Sequence, residues 1–390
     1  MTQRTYKLKE FAQDISVAIK DAQYSALDKF VGLEHYDSGE PVITRYTDTS
    51  LLSSSVKEFK ANDILIARRN VYLKRAGIAF FSGLTSGDSI VLRIYEDCEA
   101  RTGIPKEDAV RIIPFVLNSN AFWAYANKHA DGMNSKRISK KMLYAYEFDL
   151  PPLAEQRVLA DKLWAAYRLK ESYKKLLAAT DEMVKSQFIE MFGNPLSSIQ
   201  KNELKKLGDC CQINPRRPSV SISDSDQVSF VPMPAVNEDG YIDGATNEEY
   251  GKVKKGFTYF ENNDVLFAKI TPCMENGKGA TAEALTNGIG MGSTEFHVLR
   301  PIDGISNPYW LLTLTRMPIF REYAAKNMSG TGGQRRVGAA FLENFMIGLP
   351  SISEQETFET IYRQADKSKF ELRKSIEAID RVIKSLINNV

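Results

Sequence analysis

Histidine and cysteine are scarce in this sequence. The three histidines, His35, His129 and His297, lie far apart and make no metal spacing such as H-E-x-x-H. The four cysteines, Cys98, Cys210, Cys211 and Cys273, form no C-x-x-C pair and no disulfide framework, so they are expected to be reduced and structural. No P-loop pattern occurs. No apolar run reaches membrane-spanning length, and the opening MTQRTYKLKEFAQD has no apolar signal core, so the expected compartment is the cytoplasm. Charge of one sign is also lacking. A net charge of +2 neither demands nor excludes a polyanionic partner, so the distribution of charge must decide.

Two stretches imitate catalytic motifs. Asn307-Pro308-Tyr309-Trp310 resembles the Asn-Pro-Pro-Tyr of amino-methyltransferases but lacks the second proline. Gly288-Ile289-Gly290-Met291-Gly292 imitates a nucleotide-binding loop, but no strand–helix unit with a downstream acid follows it, so turn glycines are the better reading. No catalytic residue, cofactor or metal is expected.

What is present is a repeat. LPPLAEQ begins at Leu150 and LPSISEQ at Leu349. At the same offset, close to 200 residues, SKRIS from Ser135 aligns with QRRVG from Gln334. FKANDILIA from Phe59 aligns with FENNDVLFA from Phe260, and FVGLEHYDSGE from Phe30 with FVPMPAVNEDG from Phe230. An offset that holds over nearly the whole chain marks a tandem duplication.

After each phrase comes a long segment without Gly or Pro, rich in Lys, Glu, Leu and Ala. The first is expected to stop at Gly193-Asn194-Pro195. Each helix is about 40 residues, or ~60 Å at ~1.5 Å per residue, well beyond the usual globular helix. Steps of three and four predict a seam through Phe358, Ile361, Ala365, Ser368, Leu372, Ser375, Ile379, Val382 and Leu386. The equivalent seam in the first helix runs through Leu159, Lys162, Ala166, Leu169, Tyr173, Leu176, Thr180, Met183 and Gln187. Ser351 and Glu354 fit a capping box, which Pro152 denies the first helix. Trp164, Phe188 and Phe192 are expected on apolar edges outside the seam, as a docking surface.

The remaining segments read as strand-rich: ANDILIARRN, AGIAFF, DSIVLRIY, NDVLFAKI and EFHVLRP are short β-branched and apolar runs broken by Gly, Asn and Asp. The expected class is α+β: two tandem strand-rich domains, each followed by a long helix, the helices pairing as an antiparallel coiled coil. The expected boundaries are 1–149, 150–195, 196–348 and 349–390. Helices related by a perpendicular two-fold run antiparallel and hold two recognition surfaces at a set spacing, which suits duplex DNA.

Basic residues cluster in the strand-rich parts. The first offers Arg68, Arg69, Lys74 and Arg75, with Tyr72 among them, then Lys136, Arg137, Lys140 and Lys141. The second offers Arg216, Arg217, Lys269, Lys278, Gln334, Arg335 and Arg336. Loops bearing Arg, Lys or Gln reach phosphates and base edges, and both copies carry a basic pair at one equivalent position, Lys136-Arg137 and Arg335-Arg336. These residues are the candidate DNA contacts.

The paired L-P-x-x-x-E-Q phrases opening long helices, the two variable domains of about 150 residues and N-D-I-L-I-A-R-R-N together resemble the specificity subunit of type I restriction–modification enzymes. The resemblance covers essentially the whole chain. It implies a non-catalytic subunit with two target recognition domains, each reading one half of a bipartite site on double-stranded DNA. It implies that the helices set the spacer and dock two modification (adenine methyltransferase) subunits. ATP-dependent restriction subunits would complete the full complex. Ser351 and Ser353 stand where the first phrase has Pro152 and Ala154, and the two domains differ at most positions, so no base preference passes from one to the other. The competing expectation is a two-headed coiled-coil scaffold that binds proteins and has no DNA specificity.

Overall fold

The computed structural model describes residues 4–15, 17–19, 26–49, 56–133, 135–193, 203–219, 221–331 and 333–388. They divide into two compact units, Met1–Lys174 with Lys374–Val390, and Lys175–Arg373. The two long helices, Leu153–Phe192 and Ile352–Asn388, each give one part to each unit. The first ends at Phe192, where Gly193 turns out with φ 74°. The expected Asn194-Pro195 stop lies outside the described residues.

The fold is α+β, and both units are built to one plan. In unit 1 a sheet runs in the order Ala12–Asp14, Ser89–Ile94, Ile64–Ala67, Ala76–Ala79, Val42–Ile43. Its counterpart in unit 2 runs Cys211–Ile213, Phe296–Pro301, Val265–Ala268, Gly279–Thr281. A second sheet in each unit contains one parallel pair, Lys29–Val31 with Gly83–Ser86 and Gln227–Val231 with Ile289–Gly292. The central strands are apolar on both faces, as strands covered on both sides must be: Ile64, Leu65 and Ile66 are fully buried, and so are Val265 and Leu266.

One ion pair is written twice. Asp63, 1% exposed, takes a two-pronged bond from Arg93 at 2.7 and 2.6 Å and also accepts the Lys60 amide. Asp264, likewise 1% exposed, takes Arg300 at 2.8 and 2.7 Å and the Glu261 amide. Buried carboxylates are tolerated because both oxygens of each find donors, one of them a guanidinium.

The long helices pair antiparallel inside each unit. In unit 1, Ala160, Leu163, Trp164 and Tyr167 join Ile383 and Ile387 in the main core. In unit 2, Phe188 and Phe192 meet Phe358 edge-on, with centroids 5.3 and 5.6 Å apart. A buried lysine sits in each seam. Lys170 Nζ lies 2.5 Å from both Asp380 and Glu40, and Lys369 Nζ lies 2.8 Å from Asp181.

The expected seam holds at Phe358 and Ala365, which are buried, and Leu159, Ala166, Ile379 and Leu386 pack partly buried against a core, but elsewhere it runs out of phase. Leu169, Met183 and Val382 are exposed, while their neighbours Lys170, Val184 and Ile383 are buried. A stripe stepped at 3.5 residues drifts off a helix of 3.6 residues per turn, and the paired lysines take seam positions that a search for apolar residues skips. Trp164, Phe188 and Phe192 are also corrected: all are buried in the cores rather than offered as a docking edge. The capping box is present, with the Ser351 amide donating to Glu354 at 3.0 Å and the Glu354 amide to Ser351 Oγ at 3.4 Å.

Candidate nucleic-acid interface

Each central sheet hands its basic residues to one small construction. In unit 1 the strand Ile64–Ala67 runs directly into Arg68 and Arg69, and the short hairpin Ala130–Asp131/Arg137–Ile138 lies on that exit. Three links hold it: the Ile138 amide donates to the Arg68 carbonyl at 3.0 Å, the Asn70 amide to the Lys136 carbonyl at 2.7 Å, and Arg69 bridges Arg137. Unit 2 repeats them. The Val337 amide donates to the Lys269 carbonyl at 2.9 Å, the Thr271 amide to the Arg335 carbonyl at 3.0 Å, and Ile270 bridges Arg336. Both hairpin loops turn on a glycine at φ 118°. A Cβ on Gly132 would come within 2.8 Å of the Ser135 carbonyl oxygen, and one on Gly330 within 2.6 Å of the Gln334 carbonyl oxygen.

An acid sits at the centre of each construction, and here the copies part. Asp88 has three guanidiniums around it, Arg68 and Arg69 at 3.8 Å and Arg137 at 3.6 Å. All three side chains are a third or more exposed, and Arg69 Nε also donates to Ser135 Oγ at 2.8 Å. Glu295 instead holds one partner tightly, with Arg336 Nη2 at 2.8 Å and Nε at 2.9 Å. Hydrogen bonding to Arg336 keeps the Glu295 carboxyl below the usual glutamate range.

The geometry divides the other candidates. Lys74 and Lys136 are exposed beside the unit 1 cluster, and Lys136 lends it only a backbone carbonyl. Arg75 is turned to structure, its guanidinium donating to the Leu33 carbonyl at 2.8 Å and the Arg69 carbonyl at 3.1 Å. Lys140 opens a short helix and is ion-paired to Asp14. In unit 2, Arg335 donates to the Ala325 carbonyl at 2.8 Å, at the end of the helix Pro318–Lys326. Lys269 and Lys278 flank the loop after the strand Val265–Ala268 and are half-buried. Gln334 is exposed on the hairpin. Arg216 and Arg217 lie on a different loop, where Arg217 donates to the Lys254 carbonyl at 2.6 Å. Asp88 and Glu295 were not among the expected residues. A signal for them exists: Asp88-Ser-Ile-Val-Leu-Arg93 and Glu295-Phe-His-Val-Leu-Arg300 are the same six positions.

The imitation motifs have structural work. Asn307 is a buried N-cap whose side chain accepts the Tyr309 and Trp310 amides. A Cβ on Gly290 would strike Phe260 at 2.0 Å, so that glycine makes room for a core ring. His297 is buried; Nε2 donates to the Val337 carbonyl at 2.8 Å and Nδ1 faces Asn214, while burial lowers its pKa. No group of three His, Cys, Asp or Glu able to hold a metal occurs among the described residues. No helix among them is long and apolar enough to cross a membrane.

Residues 199–380 match the family described as "Type I restriction modification DNA specificity domain". Two Escherichia coli proteins are similar to the chain. The type I restriction enzyme EcoAI specificity subunit is 34% identical over 238 residues, and the EcoEI specificity subunit 33% identical over 235. Each match takes in 56% of this chain and 39% of the relative's own length. Among solved structures, the S subunit of a type I restriction–modification system from M. genitalium has a TM-score of 0.56 at 11% identity, covering 99% of this chain and 95% of that one. A chain from a structure on the assembly and conformational transition of the type I R-M system has a TM-score of 0.53 at 15% identity, covering 99% of this chain and 96% of that one. These two likenesses are likenesses of fold. In sequence over about half its length, and in fold over nearly all of it, the chain resembles type I specificity subunits.

Proposed function

We propose that this chain recognises DNA sequence on behalf of a type I restriction–modification complex and leaves catalysis to its partners. The observation that carries the reading is the duplicated hairpin construction. One backbone lattice presents Arg137 in unit 1 and Arg336 in unit 2, each beside a different set of side chains. A protein that reads two unlike half-sites needs this combination of a common frame and distinct contacts. Each recognition domain, 1–149 and 196–348, takes one half of a bipartite duplex site. The basic residues of each hairpin and its neighbouring loop supply phosphate and base-edge contacts. The helical segments, 150–195 and 349–390, set the spacer and receive two modification subunits that methylate adenine, with restriction subunits completing the complex in the cytoplasm.

The test is a pull-down of the tagged chain from its own host with identification by mass spectrometry, followed by methylome sequencing. The expected result is an adenine methyltransferase at about two copies per chain and a split methylated motif that disappears when the gene is deleted. Recovery of other proteins with no methyltransferase, even at low salt, and an unchanged methylome on deletion would overturn it.

A further inference from the structure

The turn Asn70–Lys74 stands beside the Asp88 cluster and exposes an apolar pair. Val71 is buried as its anchor, while Tyr72 is 59% exposed and Leu73 38%. Isolated exposed apolar residues are ordinary; what sets this pair apart is the backbone beneath it. Asn70 and Lys74, on either side of the single 3-10 turn Val71–Leu73, both take left-handed backbone, with φ 55° and 49°. Side-chain-bearing residues seldom adopt that region, and two within five positions hold only where the surroundings enforce them.

The surroundings do enforce them. The Asn70 amide donates to the Lys136 carbonyl at 2.7 Å, and the Gly39 amide to the Lys74 carbonyl at 2.8 Å. Within the turn, the Leu73 amide bonds Asn70 at 2.9 Å and the Lys74 amide bonds Val71 at 3.0 Å. The Arg75 guanidinium braces the far side through the Leu33 and Arg69 carbonyls. A ring held out on so fixed a base loses little freedom when it meets a partner.

The charge around the tip says what that partner is. Arg68, Arg69, Lys74, Lys136 and Arg137 flank it, and Asp88 is the acid among them. The nearby carboxylates of Glu40 and Asp37 are held by Lys170 and Lys174, and by Arg45. Unit 2 has nothing equivalent in the matching loop, where Met274 is buried and the exposed neighbour is the acidic Glu275.

We infer that the Tyr72–Leu73 tip is a rigid apolar reader that packs against the bases of duplex DNA in the half-site of unit 1, while the flanking cations take phosphates. The inference rests on the DNA-recognition reading above. Proteins that insert apolar side chains at base steps unstack them locally, and aromatic rings stack on any base face. Deformation of the duplex is therefore confined to one half-site.

The experiment uses the full chain and a pool of randomised 40-base-pair duplexes. Wild type is put through rounds of selection. Wild type, Tyr72→Ala, Tyr72→Phe and Arg69→Gln are then measured on the selected duplex across a salt series, and thymine reactivity to permanganate maps unstacking. Tyr72→Ala is expected to bind roughly 10- to 100-fold more weakly, the scale of one lost base stack, with an unchanged salt slope. Tyr72→Phe should bind as wild type does, and Arg69→Gln should flatten the slope. Permanganate-reactive thymines should appear in one half-site and vanish in Tyr72→Ala. Equal affinity and equal reactivity for Tyr72→Ala would overturn the inference and leave DNA recognition standing. A wild-type chain that selects no motif would overturn the recognition reading itself.

Discussion

The two acid-centred clusters share one backbone frame but differ in charge balance. Around Asp88, three guanidiniums share one carboxylate at 3.6–3.8 Å, beyond hydrogen-bond length, and the cluster keeps a positive excess. Around Glu295, one guanidinium is locked at 2.8–2.9 Å and largely neutralised. The shared frame shows what the duplication preserved, namely where the hairpin sits. The difference shows what was free to diverge, namely how much charge each hairpin has left for a polyanion. Exposed ion pairs contribute little stability, roughly 0–1 kcal/mol, so such divergence costs the fold almost nothing.

The comparison can be broken first at its common base. Asp63→Ala and Asp264→Ala each leave an arginine without its buried carboxylate, which typically costs ~3–5 kcal/mol. Urea unfolding should show similar losses for both, and a loss in only one unit would mean that the frames are not equivalent. Arg137→Gln should next reduce the salt slope of DNA binding by about one. Arg336→Gln should reduce it less, because Glu295 already occupies that charge; filter binding between low and physiological salt would tell them apart. Ser351→Ala should cost about 1 kcal/mol through its lost cap, read by thermal unfolding, whereas Pro152→Ala has no cap to lose.

The smallest effect is a pH dependence confined to unit 2. Burial favours neutral His297, so its folded pKa lies below the unfolded value of about 6.5. Its contribution to stability is complete above that value and is lost as pH falls through the lowered folded pKa. Asn214, Lys269 and Glu295 face it, and Ile90 holds the matching place in unit 1. His297→Gln should flatten the slope of stability below about pH 6.5, measured by urea midpoints. A slope that survives the substitution would assign it elsewhere.

The duplication, the α+β class, the long helices and the capping box were all legible, because each leaves a pattern in adjacent residues or at a constant offset. The seam was legible only in outline. Apolar periodicity cannot find Lys170 and Lys369, whose burial depends on a carboxylate far along the chain. The basic residues were legible as charges but not as roles. Nothing near Arg75 in sequence says that its guanidinium is taken by the Leu33 carbonyl, or near Arg335 that its own closes on Ala325. Asp88 and Glu295 could have been found by aligning the two V-L-R strands, since acids at matching positions beside basic loops are a pairing signal.

The buried lysines act as a spelling rule for the helix pair. Each long helix carries a lysine and, three turns later, an aspartate: Lys170 then Asp181, Lys369 then Asp380. Read head to tail, every lysine finds an aspartate. Read in the same direction, lysine would face lysine and aspartate aspartate. A slip by one heptad would take Asp181 from the buried Lys369, at several kcal/mol, and would leave Lys170 with Glu40 alone. These side chains thus favour the antiparallel pairing of two similar helices over the parallel one.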